Sequence, residues 1–150
     1  MITEDYVSLE TVKLLKEKGF ECNYKMVIAL EDIIEERFEG RTCVGEEVIP
    51  AGTFFTPEFG GEYETYDYSP NLFTASAPCP TQAMAIKWLR EVHGLHIWVD
   101  YSSFEFNDKL PYLWNIRETK IEGTYWGGTY HKSYEEACEA AIKYCLENLI

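Results

Sequence analysis

The periodicities along this chain point to a single α+β domain, with about three main helices packed on antiparallel β-structure. Apolar residues recur at helical spacing in three separated stretches, near the start, in the middle and at the end. The stretches between them alternate with a period of two or carry the glycine and proline punctuation of tight turns. Helices and strands also fall in blocks, whereas parallel βαβ units would alternate more regularly. With 150 residues, 46% of them hydrophobic and 15% aromatic, the chain has the size of one ordinary domain and the material for a core.

The first helix opens at Ser8, a capping residue, with Glu10 in its first turn, lysines in its last and Gly19 as its stop. Leu9, Val12 and Leu15 make its apolar stripe, and Phe20 is placed to fold back over the last turn in a Schellman-type ending. Tyr24 to Leu30 reads as a strand. Leu30, Ile33, Ile34, Arg37 and Phe38 then fall at helical spacing before Gly40, so a two-turn helix is the simplest account. A strand running on to Phe38 is the rival, since adjacent isoleucines also suit a sheet.

Residues 42–68 read as β-structure, with turns at Gly45, at Pro50-Ala51-Gly52 and at Gly60-Gly61. The last of these turns would set Phe55 against Tyr66 and Thr56 against Thr65. An irregular connection follows, through Pro78-Cys79-Pro80. Thr81 begins the second helix, with Ala85, Trp88, Leu89 and Val92 on one side, Lys87 and Glu91 able to pair, and Gly94 as the stop. Leu95, Ile97, Val99 and Tyr101 alternate with His96, Trp98 and Asp100, the period of a half-buried strand. Leu110, Tyr112, Trp114 and Ile116 share one face of another strand, and TYWGGTYH reads as a hairpin tip on Gly127-Gly128. Ser133 caps the last helix, with Glu135 and Glu136 in its first turn and Tyr134, Cys138, Ala141, Cys145 and Leu149 on its buried side.

Charge is distributed unevenly. Residues 31–67 carry 11 acids against 2 bases, a net −9 out of −13 for the whole chain, while residues 68–133 are neutral. A localised negative field of this kind disfavours direct binding to phosphate backbones. It marks 31–69 as a β-rich acidic elaboration of the domain. Its candidate binding residues are Glu31, Asp32, Glu35 and Glu36, together with Glu62, Tyr63, Glu64, Tyr66, Asp67 and Tyr68, where tyrosines interleave with acids. A solvated hairpin edge kept soluble by its acids is the plainer reading of the same residues.

His93 and His96, three apart, raise the question of a metal. They belong to a helix end and to a strand, not to one helix face, and Asp100 lies about 13 Å along the strand from His96 at roughly 3.3 Å per residue. No metal and no cofactor is expected. The chain holds no G-x-S-x-G elbow and no glycine-rich phosphate loop. Its five cysteines are odd in number and lack C-x-x-C spacing, so they read as free thiols, Cys138 and Cys145 as core. A nucleophile built from Cys43 or Cys79 with a distant histidine is the leading enzymatic alternative.

The longest apolar run, Met26 to Leu30, is far short of the roughly 20 residues of a membrane span. The stretch MITEDYVSLE has acids and no basic or apolar signal region, so a cytoplasmic location is expected.

SLETVKLLKEKGF, PTQAMAIKWLREVH and SYEEACEAAIKYCLENLI resemble small uncharacterised proteins encoded by bacteriophages and prophages of gut anaerobes. The likeness covers roughly the first 20 and the last 75 residues and leaves out 31–69. It implies a phage origin and a common scaffold, and it brings no catalytic residue. Together these readings predict a non-enzymatic binding protein whose acidic segment engages a protein partner. The alternatives are a DNA-mimicking inhibitor of a nucleic-acid-binding protein and a cysteine-dependent enzyme.

Overall fold

The computed structural model describes residues 1–22, 26–55, 76–102 and 110–150, and for Glu35, Arg37, Phe38 and Phe55 the backbone alone. The fold is α+β, and every strand pair among the described residues is antiparallel. The chain divides into two compact units, residues 1–20 with 80–150, and residues 21–79. The segment 31–69 lies inside the second.

In the first unit, helix α1 spans Leu9–Glu17 and helix α2 spans Gln82–His93. A three-stranded meander follows, β6 (Leu95–Tyr101), β7 (Tyr112–Glu118) and β8 (Tyr125–His131), and helix α3 (Tyr134–Asn148) closes it. Helix α3 lies against all three strands and against both other helices. Its Ala137, Cys138, Ala141, Ile142, Cys145 and Leu146 are buried, as are Val12 and Leu15 of α1, Ala85 and Leu89 of α2, and Ile97, Trp114 and Ile116 of the sheet.

Local chemistry sets the helix ends. The Ser8, Thr81 and Ser133 hydroxyls accept from the amides of Thr11, Met84 and Glu136, each satisfying a donor that a helix start leaves free. Helix α1 ends in the expected Schellman pair: the Phe20 amide donates to Leu15 O, the Gly19 amide donates to Lys16 O, and Gly19 takes φ +77°. Two side chains face otherwise than their periodicity implied. Val92 and Tyr134, each in a terminal turn of its helix, are exposed.

Glu139 of α3 ties the three helices together. Its Oε1 accepts from the Ser8 amide at 2.9 Å and from the Thr11 hydroxyl, and its Oε2 accepts from Gln82 Nε2 at 3.4 Å. Gln82 Nε2 also donates to Glu135 O.

In the second unit, β1 (Val27–Ala29) lies between β4 (Phe54–Phe55) and β5 (Ser76–Pro78), and β2 (Ile33–Glu39) pairs with β3 (Thr42–Ile49) as a hairpin. Residues 33–39 are therefore strand, not the two-turn helix. Two helical turns are marginal on their own, whereas here β3 supplies a complete ladder and Gly40, at φ +66°, allows the two-residue loop. Ile33 is buried in a small cluster with Ala29 and Ile49.

Gly45 is likewise no turn. It lies within β3 at a bulge, where the register shifts between Arg37 opposite Gly45 and Phe38 opposite Cys43. The turn at Pro50-Ala51-Gly52 forms as expected, with Gly52 at φ +84° and the Thr53 amide donating to Pro50 O. Residues 76–78, expected to be irregular, pair with β1, since their backbone groups complete its second edge. The pairing expected of Phe55 with Tyr66 and of Thr56 with Thr65 lies outside the described residues, as does the Gly60-Gly61 turn; Phe55 itself pairs with Val27.

Candidate functional site

The acidic segment is brought together by strand register. In the β2–β3 hairpin Glu35 stands opposite Glu47 and Glu36 opposite Glu46, and Glu36, Glu46 and Glu47 are exposed. Directly opposed residues in such a ladder have Cβ atoms about 5 Å apart, where two carboxylates in water repel by about 0.8 kcal/mol. Next to the Glu36–Glu46 pair, Ile34 stands opposite Val48, and both are 55% exposed. This β-branched pair lends the hairpin some cross-strand contact while leaving apolar surface in water beside the repelling acid pair.

The other candidates in this segment separate. Glu31 is exposed. Asp32 is exposed too, but its Oδ1 accepts from the Ala51 amide at 2.8 Å, so it holds the 50–53 turn. Glu62, Tyr63, Glu64, Tyr66, Asp67 and Tyr68 lie outside the described residues.

A second surface, on the outer face of the β6–β7–β8 sheet, was read from the sequence only as an exposed strand face. Register sets His96 beside Arg117 and Arg117 beside Tyr125, with Trp98, Asn115 and Gly127 in the next row. His96 stacks on Trp98 at 5.8 Å, Trp98 meets Tyr125 at 5.9 Å, and the Arg117 guanidinium lies 5.7 Å from the Tyr125 ring centre. Asn115 is 2% exposed and joins two exposed side chains: its Oδ1 accepts from the Tyr125 hydroxyl and its Nδ2 donates to Asp100 Oδ2 at 2.9 Å.

This face escaped the sequence reading because Gly127-Gly128 was taken for a hairpin tip. Both glycines lie inside β8, and neither needs positive φ. The turn is upstream, where the Gly123 amide donates to Lys120 O and Glu122 takes φ +62°. The signal was present in KIEGT, which places a glycine at the right distance from Arg117 for a short connection.

His93 and His96 part as their elements require. His93 packs edge-on against Trp88 at 4.5 Å, and its buried Nε2 finds no hydrogen-bond partner among the described residues, so it does not cap α2 through that nitrogen. Among the described residues no group of three or more His, Cys, Asp or Glu is placed to hold a metal ion, and no helix is long and apolar enough to cross a membrane.

All five cysteines are free thiols. Burial pushes Cys22 and Cys138 above the ordinary thiol range and carries Cys145 up to about 12, so these three stay protonated and are poor nucleophiles at neutral pH. Cys43 is exposed, with its thiol donating to Gly45 O at 3.7 Å, and Cys79 is buried. Compared with known proteins, the chain matches no family model, no curated protein and no solved structure.

Proposed function

We propose that this chain is a non-enzymatic binding protein, of phage origin, that engages a basic protein surface through the β2–β3 hairpin. The observation that carries the reading is the Glu36–Glu46 pair set directly across the ladder beside the exposed Ile34–Val48 pair. In water the acid pair costs the hairpin only a fraction of a kcal/mol. Covered by a neutral surface it would cost far more, because both carboxylates would lose solvent with no cation in return. A partner offering lysines or arginines opposite the pair, with an apolar patch beside them, reverses that sign. Selectivity therefore comes from the acids and contact area from Ile34 and Val48.

Asp32 is left out of this surface because its carboxylate serves the turn. The test is affinity capture with the intact protein, comparing Glu36→Lys/Glu46→Lys with Glu4→Lys/Glu17→Lys, which makes the same charge change at exposed positions outside the hairpin. Recovery of the same basic proteins by wild type and by the control, with a loss of about tenfold or more for the hairpin variant, supports the proposal. Equal recovery by all three sinks it.

A further inference from the structure

We infer that the outer face of the β6–β7–β8 sheet binds a neutral carbohydrate, with a sugar ring laid on Tyr125 and its hydroxyls held between Asp100 and Arg117. This inference does not rest on the hairpin.

It begins with Gly127. A Cβ at that position would lie 3.4 Å from the Tyr125 hydroxyl and 3.6 Å from Cε1 of its ring. Tyr125, two residues earlier on the same strand, therefore lies over the place where a side chain is missing. Its hydroxyl reaches across to Asn115 on β7. The side chain remains 48% exposed, which is the condition for a ring to serve as a platform.

The polar groups beside the ring are fixed in advance. Asn115 donates from Nδ2 to Asp100 Oδ2 and, at 3.4 Å, to Leu113 O, while its Oδ1 accepts from Tyr125. A buried amide with both ends engaged cannot turn, so the Asp100 carboxylate and the Tyr125 ring keep one relative geometry. Asp100 Oδ1 accepts from no other described residue and can take two further hydrogen bonds. The Arg117 guanidinium, which only donates, stands over the ring with its Cζ 5.7 Å from the ring centre, so the sugar would use the part of Tyr125 that it leaves exposed.

A sugar meets this arrangement on each count. Its C–H face packs on an aromatic ring, and its hydroxyls both donate, as Asp100 requires, and accept, as Arg117 requires. Nucleic acid offers bases that could stack, but its phosphates would meet the Asp100 carboxylate and a chain of net charge −13 with Arg117 as the cation against the ring. A basic peptide would satisfy Asp100 and be repelled by Arg117. Preorganisation matters here because a single sugar ring makes few contacts, and holding the protein groups still removes an ordering cost from binding.

The test uses the full chain, labelled with nitrogen-15 and titrated separately with cellohexaose, chitohexaose, maltohexaose, xylohexaose and, as the competing class, polyuridylate. The expected result is saturation by at least one oligosaccharide in the millimolar range, with shifts confined to the Trp98 indole and to the amides of Asp100, Asn115, Arg117 and Gly127. Asp100→Asn, nearly the same shape, should weaken that binding by about tenfold, and Tyr125→Phe, which keeps the ring and drops the hydroxyl, by less. No saturation with any of the four sugars, saturation with polyuridylate alone, or binding indifferent to Asp100→Asn would overturn the inference. The hairpin variant Glu36→Lys/Glu46→Lys should bind the sugar as wild type does, so failure here is distinct from failure of the proposed function.

Discussion

Adjacent glycines in β8 have opposite consequences when a methyl group is added, and the difference can be worked from the geometry. A Cβ on Gly128 would fall 2.0 Å from Trp114 Cδ2 and 2.2 Å from Cε2. Carbon atoms in contact sit about 3.5–4.0 Å apart, so the indole or the strand must move by about 1.5 Å. Trp114 is 5% exposed, and the Tyr144 ring of α3 lies 5.1 Å from it, so the ring has little room to retreat. Gly128→Ala should therefore destabilise the fold by about 3 kcal/mol, at the upper end of overpacking costs. For a chain of this length that lowers the melting temperature by about 6–12 °C.

Gly127→Ala meets only Tyr125, at 3.4 Å, and should change stability by less than about 0.5 kcal/mol. Denaturant unfolding of both variants, and of Gly128→Ala combined with Trp114→Leu, checks the cause. The smaller residue at 114 should recover part of the loss, giving a favourable coupling of about 1–3 kcal/mol. Two equally mild variants, or two equally severe ones, would refute the assignment of Gly128 to a close approach and of Gly127 to an ordinary contact with Tyr125.

Glu139→Ala removes the acceptor shared by the Ser8 amide and the buried Thr11 hydroxyl and should cost about 2 kcal/mol in urea unfolding, with Glu139→Gln costing about half that; a loss below about 0.5 kcal/mol for Glu139→Ala would show the carboxylate to be dispensable. Stability should fall as pH rises from 9.0 towards 12, because the Cys145 thiol ionises at its ordinary value when unfolded but is held protonated by burial when folded. The folded state then binds more protons than the unfolded one, and the slope from this group approaches about 1.4 kcal/mol per pH unit. Unfolding measured from pH 8 upward should show a shallower decline for Cys145→Ala, and an identical slope would contradict the burial of that thiol.

The helices were legible because their signals are local: a capping hydroxyl, acids in the first turn and a glycine past the last turn act within a few residues of one another. Ser8, Thr81, Ser133, Gly19 and Gly94 all do what their positions imply. The strands were legible where alternation is strict, as in Leu95–Tyr101, and misread where pairing decides the conformation. Residues 33–39 satisfy a helical stripe and a strand equally, and it is Thr42–Ile49 that settles the matter by offering a ladder. Gly45 and Gly127-Gly128 look like turns because glycine usually supplies positive φ. Here Gly45 marks a bulge, and Gly128 makes room for Trp114, fourteen places earlier in the chain, which no local pattern announces. The acidic segment was visible as a charge count, and the opposition of Glu36 to Glu46 was not, since it depends on a register shifted by one residue at the bulge.

Register also separates two kinds of carboxylate that composition treats alike. Asp100 has a buried amide donating to one of its oxygens, which leaves the other without a partner among the described residues. Glu36 faces Glu46 across the ladder, beside isoleucine and valine. The first arrangement suits an uncharged ligand that must be oriented, because a fixed acceptor selects direction and no net charge needs to be cancelled. The second suits a cationic partner, because repulsion between the two acids is relieved only when positive charge arrives. If solubility were the sole demand on the hairpin, offsetting the acids by one position would keep the same charge, remove the repulsion and expose no more apolar surface. The ladder instead aligns like with like, acid against acid and aliphatic against aliphatic, and under the function proposed above that alignment would gather the charge and the apolar area that a basic partner needs.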